Sequence, residues 1–117
     1  MYDATSLIGT GVETGTPVIV VTINYRLGAF GFVDFSSWSD ADRTFDANCG
    51  MSDVLAALRW VNLNISAFGG DPGNVTVFGE SAGGGVVTTL LTMPSAEGLV
   101  HRAIAQSSPA TSVYGPD

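Results

Sequence analysis

The residues of this sequence that best fit a chemical role form the run Gly79-Glu80-Ser81-Ala82-Gly83. A β-branched and aromatic run at 75–78 precedes it, and an apolar stretch at 84–91 follows it. This order predicts a strand, a turn and a helix, which is the context that a G-x-S-x-G nucleophile motif requires. We expect a turn so tight that side chains at both flanking glycines would clash, with Ser81 held in a strained backbone conformation.

A serine at such a bend is suited to nucleophilic catalysis. Its hydroxyl would stand at the carboxyl end of a strand and face a cavity. Free N–H groups and the helix dipole favour negative charge at the same point. We therefore predict that Ser81 is the nucleophile and that the Ala82 N–H donates to an oxyanion. The pentapeptide alone fits an ordinary strand-to-helix turn equally well, and the flanking pattern is what favours the catalytic interpretation.

Length and composition limit the class of protein. A chain of 117 residues forms at most one small domain, and 45% hydrophobic residues suit parallel strands buried on both faces. Four basic residues against eleven acidic ones give a net charge of −7, a poor match for nucleic acid or an anionic membrane surface. Cys49 is the only cysteine, which excludes an internal disulfide. No apolar segment is long enough to cross a bilayer, and Met1–Ala4 lacks the features of a signal peptide.

The pattern of apolar residues predicts alternating strands and helices. A β-branched run at 17–25 predicts a buried central strand, 26–32 a packed loop, and 36–49 a surface loop. Apolar residues at helical spacing predict a helix that is opened by Ser52 or by Cys49-Gly50 and ends in a turn at 68–72. A strand at 75–78, a helix at 82–92 and a strand at 103–106 complete an α/β fold with parallel strands and flanking helices. The apolar positions of the first helix are Met51, Val54, Leu55, Leu58, Val61 and Ile65.

Four blocks of the sequence, in order, resemble the type-B carboxylesterase and lipase family, which has the α/β-hydrolase fold. They are 20–32, 57–65, 68–83 and 98–107, and together they cover most of residues 2–107. The resemblance implies that residues 1–117 are an incomplete α/β-hydrolase domain around the nucleophile elbow. In the family, a glycine-rich oxyanion loop lies upstream of this region, and the acid and histidine of the triad lie downstream of it.

The resemblance also implies roles for individual residues. Glu80 would be a buried carboxylate that supports the site electrostatically, and Ser107 would lie near the site in support. Arg26 and Asp53 would form a structural ion pair. No metal or organic cofactor is implied.

The segment after the serine motif departs from the family pattern and also holds the single histidine of the sequence. Gly84-Gly85 replaces residues that are often Ala and Ser in the family, at a cost of about 1 kcal/mol per site. His101 follows Ser81 by only one helix and a turn, and we interpret it as a surface histidine rather than as the catalytic base.

Three interpretations follow from the resemblance. The leading one is a fragment of a carboxylic ester hydrolase that acts on small-molecule or lipid esters through an acyl-serine, with little activity alone. The alternatives are a non-catalytic, cholinesterase-like module that binds a partner, and a chain that does not fold alone.

Overall fold

The computed structural model describes residues 3–109, and in this range helices and strands alternate from residue 49 onward. The order helix, strand, helix, strand confirms the predicted α/β class, and both predicted strands after residue 70 are present. Short 3₁₀ turns at Ser36–Trp38, Ile65–Phe68 and Pro94–Ala96 lie between these elements. The helices are α1 (Thr5–Glu13), α2 (Gly28–Phe32), α3 (Cys49–Asn64) and α4 (Ala82–Leu90), and the strands are β1 (Thr76–Glu80) and β2 (Arg102–Gln106).

The two strands run parallel, as the sequence predicts, and α4 lies in the connection between them. Parallel neighbours need such a crossover because a short hairpin can join only antiparallel strands. The register pairs Val77 with Ala103 and Glu80 with Gln106. Both strands therefore end at the same edge of the sheet, and Ser81 lies at that edge.

The core is built by α3 on the face that the helical spacing predicts. Met51, Val54, Leu55 and Leu58 are buried there together with residues from α4 and from the turn after it. Fully burying one aliphatic side chain of this size contributes roughly 1.5–3 kcal/mol. On the sheet, Val77 packs against this core. The helix begins at Cys49, one of its two predicted starts, after a left-handed residue at position 48.

The predicted strand at 17–25 is wrong for the described part of the chain. This segment has no regular secondary structure, and four of its aliphatic residues are 39–47% exposed, namely Val18, Ile19, Val21 and Ile23. A strand exists only where a neighbour completes its ladder of hydrogen bonds, and β1 and β2 pair with each other instead. The prediction of strands buried on both faces is also wrong here, because Phe78 and Ile104 are both 53% exposed.

Two helices occur where none was predicted. Helix α1 lies in a segment without a clear pattern, and α2 replaces the loop predicted at 26–32. In α2, a Cβ on Gly31 would lie 2.0 Å from the Arg26 carbonyl oxygen, so only glycine fits where the helix folds back on the preceding residues. Phe32 of α2 approaches Gly50 in the first turn of α3, where a Cβ would lie 2.6 Å from its ring. This contact brings the segment at residue 26 close to the start of α3.

Candidate active site

Ser81 is the single residue between the end of β1 and the start of α4. Its φ of 54° and ψ of −118° lie in a region that L-residues rarely adopt. The Ser81 N–H donates to the carbonyl oxygen of Gln106 at 2.9 Å, and the Ser81 carbonyl accepts the Gly85 N–H at 3.0 Å. The backbone of this exposed serine is therefore held by β2 on one side and by the first turn of α4 on the other.

The amino-terminal end of α4 places hydrogen-bond donors beside Ser81. The first N–H groups of a helix, starting here with Ala82, have no acceptor within the helix. Aligned peptide dipoles give that end a partial positive charge of about +0.5. An oxyanion that develops next to the Ser81 hydroxyl would therefore meet the Ala82 N–H in a favourable field.

The two glycines that flank the elbow differ in what they contribute. A Cβ on Gly79 would lie 2.5 Å from both the carbonyl carbon and the oxygen of Gly83, so a side chain at Gly79 cannot fit. A Cβ on Gly83 would have no neighbour within 4 Å. The clash that we expected at both glycines therefore occurs at Gly79 and not at Gly83. A side chain at Gly79 would run into the backbone of Gly83, whereas a side chain at Gly83 would point into open space.

Gly84 has a structural role that the sequence interpretation missed. It is buried, and a Cβ there would lie 2.8 Å from the Gln106 carbonyl oxygen and 3.2 Å from the Cα and Cβ of Ser108. At Gly85 the nearest atoms belong to Pro109, at 3.6 and 3.7 Å, which is ordinary contact. Consecutive glycines in a helix are unfavourable and so indicate a close approach. The sequence alone could not show which glycine makes it, or with what partner.

Glu80 and Ser107 both lie at the edge of the sheet where the strands end. Glu80 is exposed, so the burial expected from the family is wrong among residues 3–109. Successive side chains of a strand point to opposite faces, so the Glu80 side chain points away from that of the adjacent Ser81. Ser107 is exposed and has a φ of 49°. It follows Gln106 as Ser81 follows Glu80, so the register brings the two serines to adjacent positions.

His101 lies at the opposite end of the sheet. Its Nδ1 accepts the Val75 N–H at 3.2 Å, just before β1 begins. At about 3.3 Å per strand residue, Val75 and Ser81 are roughly 20 Å apart along the strand. Proton transfer requires hydrogen-bond distance or one bridging water. His101 therefore cannot act as the base for Ser81 in this arrangement.

Arg26 and Asp53 form a bidentate ion pair. Their Nη2–Oδ1 and Nε–Oδ2 distances are 2.7 and 2.8 Å, and the Arg26 backbone N–H also donates to Oδ2 at 3.0 Å. The guanidinium lowers the pKa of Asp53 from 3.8 to about 2, and the carboxylate raises the pKa of Arg26 above its ordinary range. The pair ties the segment before α2 to the first turns of α3 and does not reach the elbow.

Two hollows formed by residues 3–109 lie away from the elbow. One hollow of about 310 Å³ lies between residues 21–24 and α3, and another of about 430 Å³ lies at the carboxyl end of α4. Ser81 lines neither of them. Within the same residues, no three His, Cys, Asp or Glu side chains are grouped to hold a metal ion. No helix of the described part is long and apolar enough to span a membrane.

Comparison with known proteins identifies the family. The sequence matches the profile described as "Carboxylesterase family" over residues 1–115. It is 54% identical to the para-nitrobenzyl esterase of Bacillus subtilis over 107 residues, which are 92% of this chain and 20% of that protein. It is 47% identical to mouse carboxylesterase 3B over 115 residues, which are 98% of this chain and 19% of that protein.

Comparison of the structure with solved structures identifies the same family. It superposes on a carboxylesterase from Geobacillus stearothermophilus with a TM-score of 0.77 and 47% identity, over 88% of this chain and 21% of that one. The chain thus spans about a fifth of the length of these relatives. The match confirms the predicted partial α/β-hydrolase fold with parallel strands and flanking helices. This chain belongs to the carboxylesterase family.

Proposed function

We propose that this chain carries the nucleophile of a carboxylic ester hydrolase, that Ser81 is that nucleophile, and that the substrates are small-molecule or lipid esters. The observation that carries the proposal is the strained backbone of Ser81, with its positive φ, between β1 and α4. A strained, exposed serine is costly to maintain, and such strain is concentrated at functional sites. The names of the relatives, which are esterases, support the same reaction class.

The reaction would proceed through an acyl-serine. The Ser81 oxygen attacks the ester carbonyl carbon and transfers its proton to a base, while the carbonyl oxygen becomes an oxyanion that the Ala82 N–H binds. Collapse of this intermediate breaks the bond to the alcohol, which takes the proton from the base and leaves. Water then attacks the acyl-serine by the same route, releasing the carboxylic acid and restoring the Ser81 hydroxyl.

We further propose that residues 1–117 act as an incomplete catalytic domain with slow turnover. No residue described here is placed as the base, because the single histidine of the sequence, His101, lies at the far end of β1. Losing the base of a serine hydrolase costs about a millionfold in turnover, or roughly 8 kcal/mol of transition-state stabilisation. Glu80 is assigned an electrostatic contribution near Ser81, and Ser107 a supporting position beside it.

The test is covalent labelling of the purified 117-residue chain with a fluorophosphonate, followed by peptide mass spectrometry. We expect slow modification confined to Ser81, absent in Ser81→Ala and retained in Ser52→Ala, which alters an exposed serine of α3. Modification spread over several serines would refute the nucleophile. Rapid turnover of p-nitrophenyl acetate that Ser81→Ala abolishes would refute the incomplete domain while supporting the nucleophile.

A further inference from the structure

The carbonyl oxygen of Gln106, the last residue of β2, is in contact with the elbow from two directions. It accepts the Ser81 N–H at 2.9 Å. It is also the atom that a Cβ on Gly84 would meet at 2.8 Å. The end of β2 therefore touches both the nucleophile and the first turn of the helix that follows it.

A second contact fixes the same helix against the same segment. The Thr88 hydroxyl lies 3.3 Å from the Ser108 hydroxyl, one turn further along α4. Ser108 is also the residue whose Cα and Cβ approach Gly84. Residue 107 between these contacts has a positive φ, so the chain bends sharply around the start of α4. The elbow and this bend thus pack against each other with no room for a side chain at position 84.

We infer that Gly84 is a positioning residue for Ser81: its missing side chain lets α4 approach the end of β2 closely enough for the Ser81 N–H to reach Gln106. The inference rests on the proposal that Ser81 is the nucleophile. A Cβ at 2.8 Å from a backbone oxygen is closer than such atoms approach, so α4 or the end of β2 must shift. The shift would move the Ala82 N–H relative to the Ser81 hydroxyl. Displacements of about 1 Å at a reacting centre can cost on the order of 100-fold in rate.

Gly85 provides a matched control because it is the next residue of the same helix. A Cβ there meets Pro109 only at ordinary contact distance. Alanine at either position raises the intrinsic helix propensity of α4 equally. A difference between Gly84→Ala and Gly85→Ala therefore reports the contact with Gln106 and Ser108 and not helix propensity.

The experiment measures two quantities in the full chain: amide hydrogen exchange of Ser81 by NMR, and the rate of fluorophosphonate labelling of Ser81. In Gly84→Ala we expect faster exchange of the Ser81 amide and labelling slowed on the order of 100-fold, with both quantities in Gly85→Ala within about twofold of the parent chain. Equal behaviour of the two variants in both measurements would overturn the inference. A parent chain that is not labelled at Ser81 would refute the proposed function, whereas the exchange measurement would still decide the packing role of Gly84.

A rescue variant covers the case in which Gly84→Ala does not fold. Replacing Ser108 by Gly removes one of the atoms that the new methyl group meets and allows the end of β2 to move. We expect Gly84→Ala with Ser108→Gly to recover circular dichroism of the folded chain and part of the Ser81 amide protection. Failure of this double variant to recover either property would overturn the inference.

Discussion

The strained backbone of Ser81 makes a prediction about stability that is independent of catalysis. Its φ of 54° and ψ of −118° cost on the order of 1–3 kcal/mol in an L-residue. Glycine adopts such angles freely but loses roughly 0.5–1 kcal/mol more than alanine in backbone entropy on folding. The difference leaves Ser81→Gly more stable than Ser81→Ala by about 1 kcal/mol, since alanine retains the Cβ that causes the strain.

Ser52 supplies the control, because it is an exposed residue inside α3 with ordinary helical geometry. There the order reverses, with Ser52→Gly less stable than Ser52→Ala by about 1 kcal/mol. Urea unfolding followed by circular dichroism measures the free energy of unfolding of all four variants. In thermal unfolding, the difference between the two Ser81 variants corresponds to a Tm shift of roughly 3–6 °C. The same sign at both positions would refute the claim that the elbow stores backbone strain.

Three further predictions follow from the contacts. Asp53→Asn flattens the loss of stability that the parent chain shows as pH falls from 3.8 to about 2, because the lowered pKa of Asp53 stabilises the fold above that window and not below it. Urea midpoints between pH 2 and 5 measure this effect, and an unchanged profile in Asp53→Asn would contradict it. Gly79→Ala destabilises by about 1–3 kcal/mol through overpacking, whereas Gly83→Ala is neutral or stabilising by up to about 1 kcal/mol, and comparable losses of stability in the two variants would contradict the geometry. His101→Ala accelerates amide exchange in the residue just before β1 and leaves the elbow amide protected; faster exchange at the elbow would argue against the opposite-end placement of this histidine.

The elements that the sequence predicted correctly depend on local patterns. The buried face of α3 follows from apolar spacing alone, and the strand–turn–helix order around Ser81 follows from residues 75–91. The segment 17–25 has an equally clear strand pattern, yet it forms no strand because a pattern does not supply a neighbour. Helix α2 was missed for a related reason: its close approach to Arg26 and to α3 is a tertiary contact.

The candidate site also combines features that local sequence predicts with features that depend on tertiary contacts. The position of Ser81 between a strand and a helix could be predicted from the motif together with its flanks at 75–91. The role of Gly84 depends on Gln106 and Ser108, which are distant in the sequence. Propensity alone ranks Gly84 as a defect of the helix, and packing makes it a requirement of the elbow. The exposure of Glu80 could not be inferred either, because burial at the edge of a sheet depends on what covers that edge.

The energies explain why the elbow needs more than its own motif. A strain of about 2 kcal/mol at Ser81, the middle of the usual range, exceeds the roughly 1 kcal/mol that one backbone hydrogen bond contributes net. The bond from Ser81 to Gln106 therefore cannot maintain the geometry alone, and the remainder must come from α4 packing, where Val87 and Leu90 are both 3% exposed. That packing can position α4 only if the helix approaches β2 closely. The close approach requires that residue 84 has no side chain. The backbone geometry of Ser81 is thus a property of β1, α4 and the end of β2 together, and a G-x-S-x-G run without the following strand would keep the serine but not its conformation.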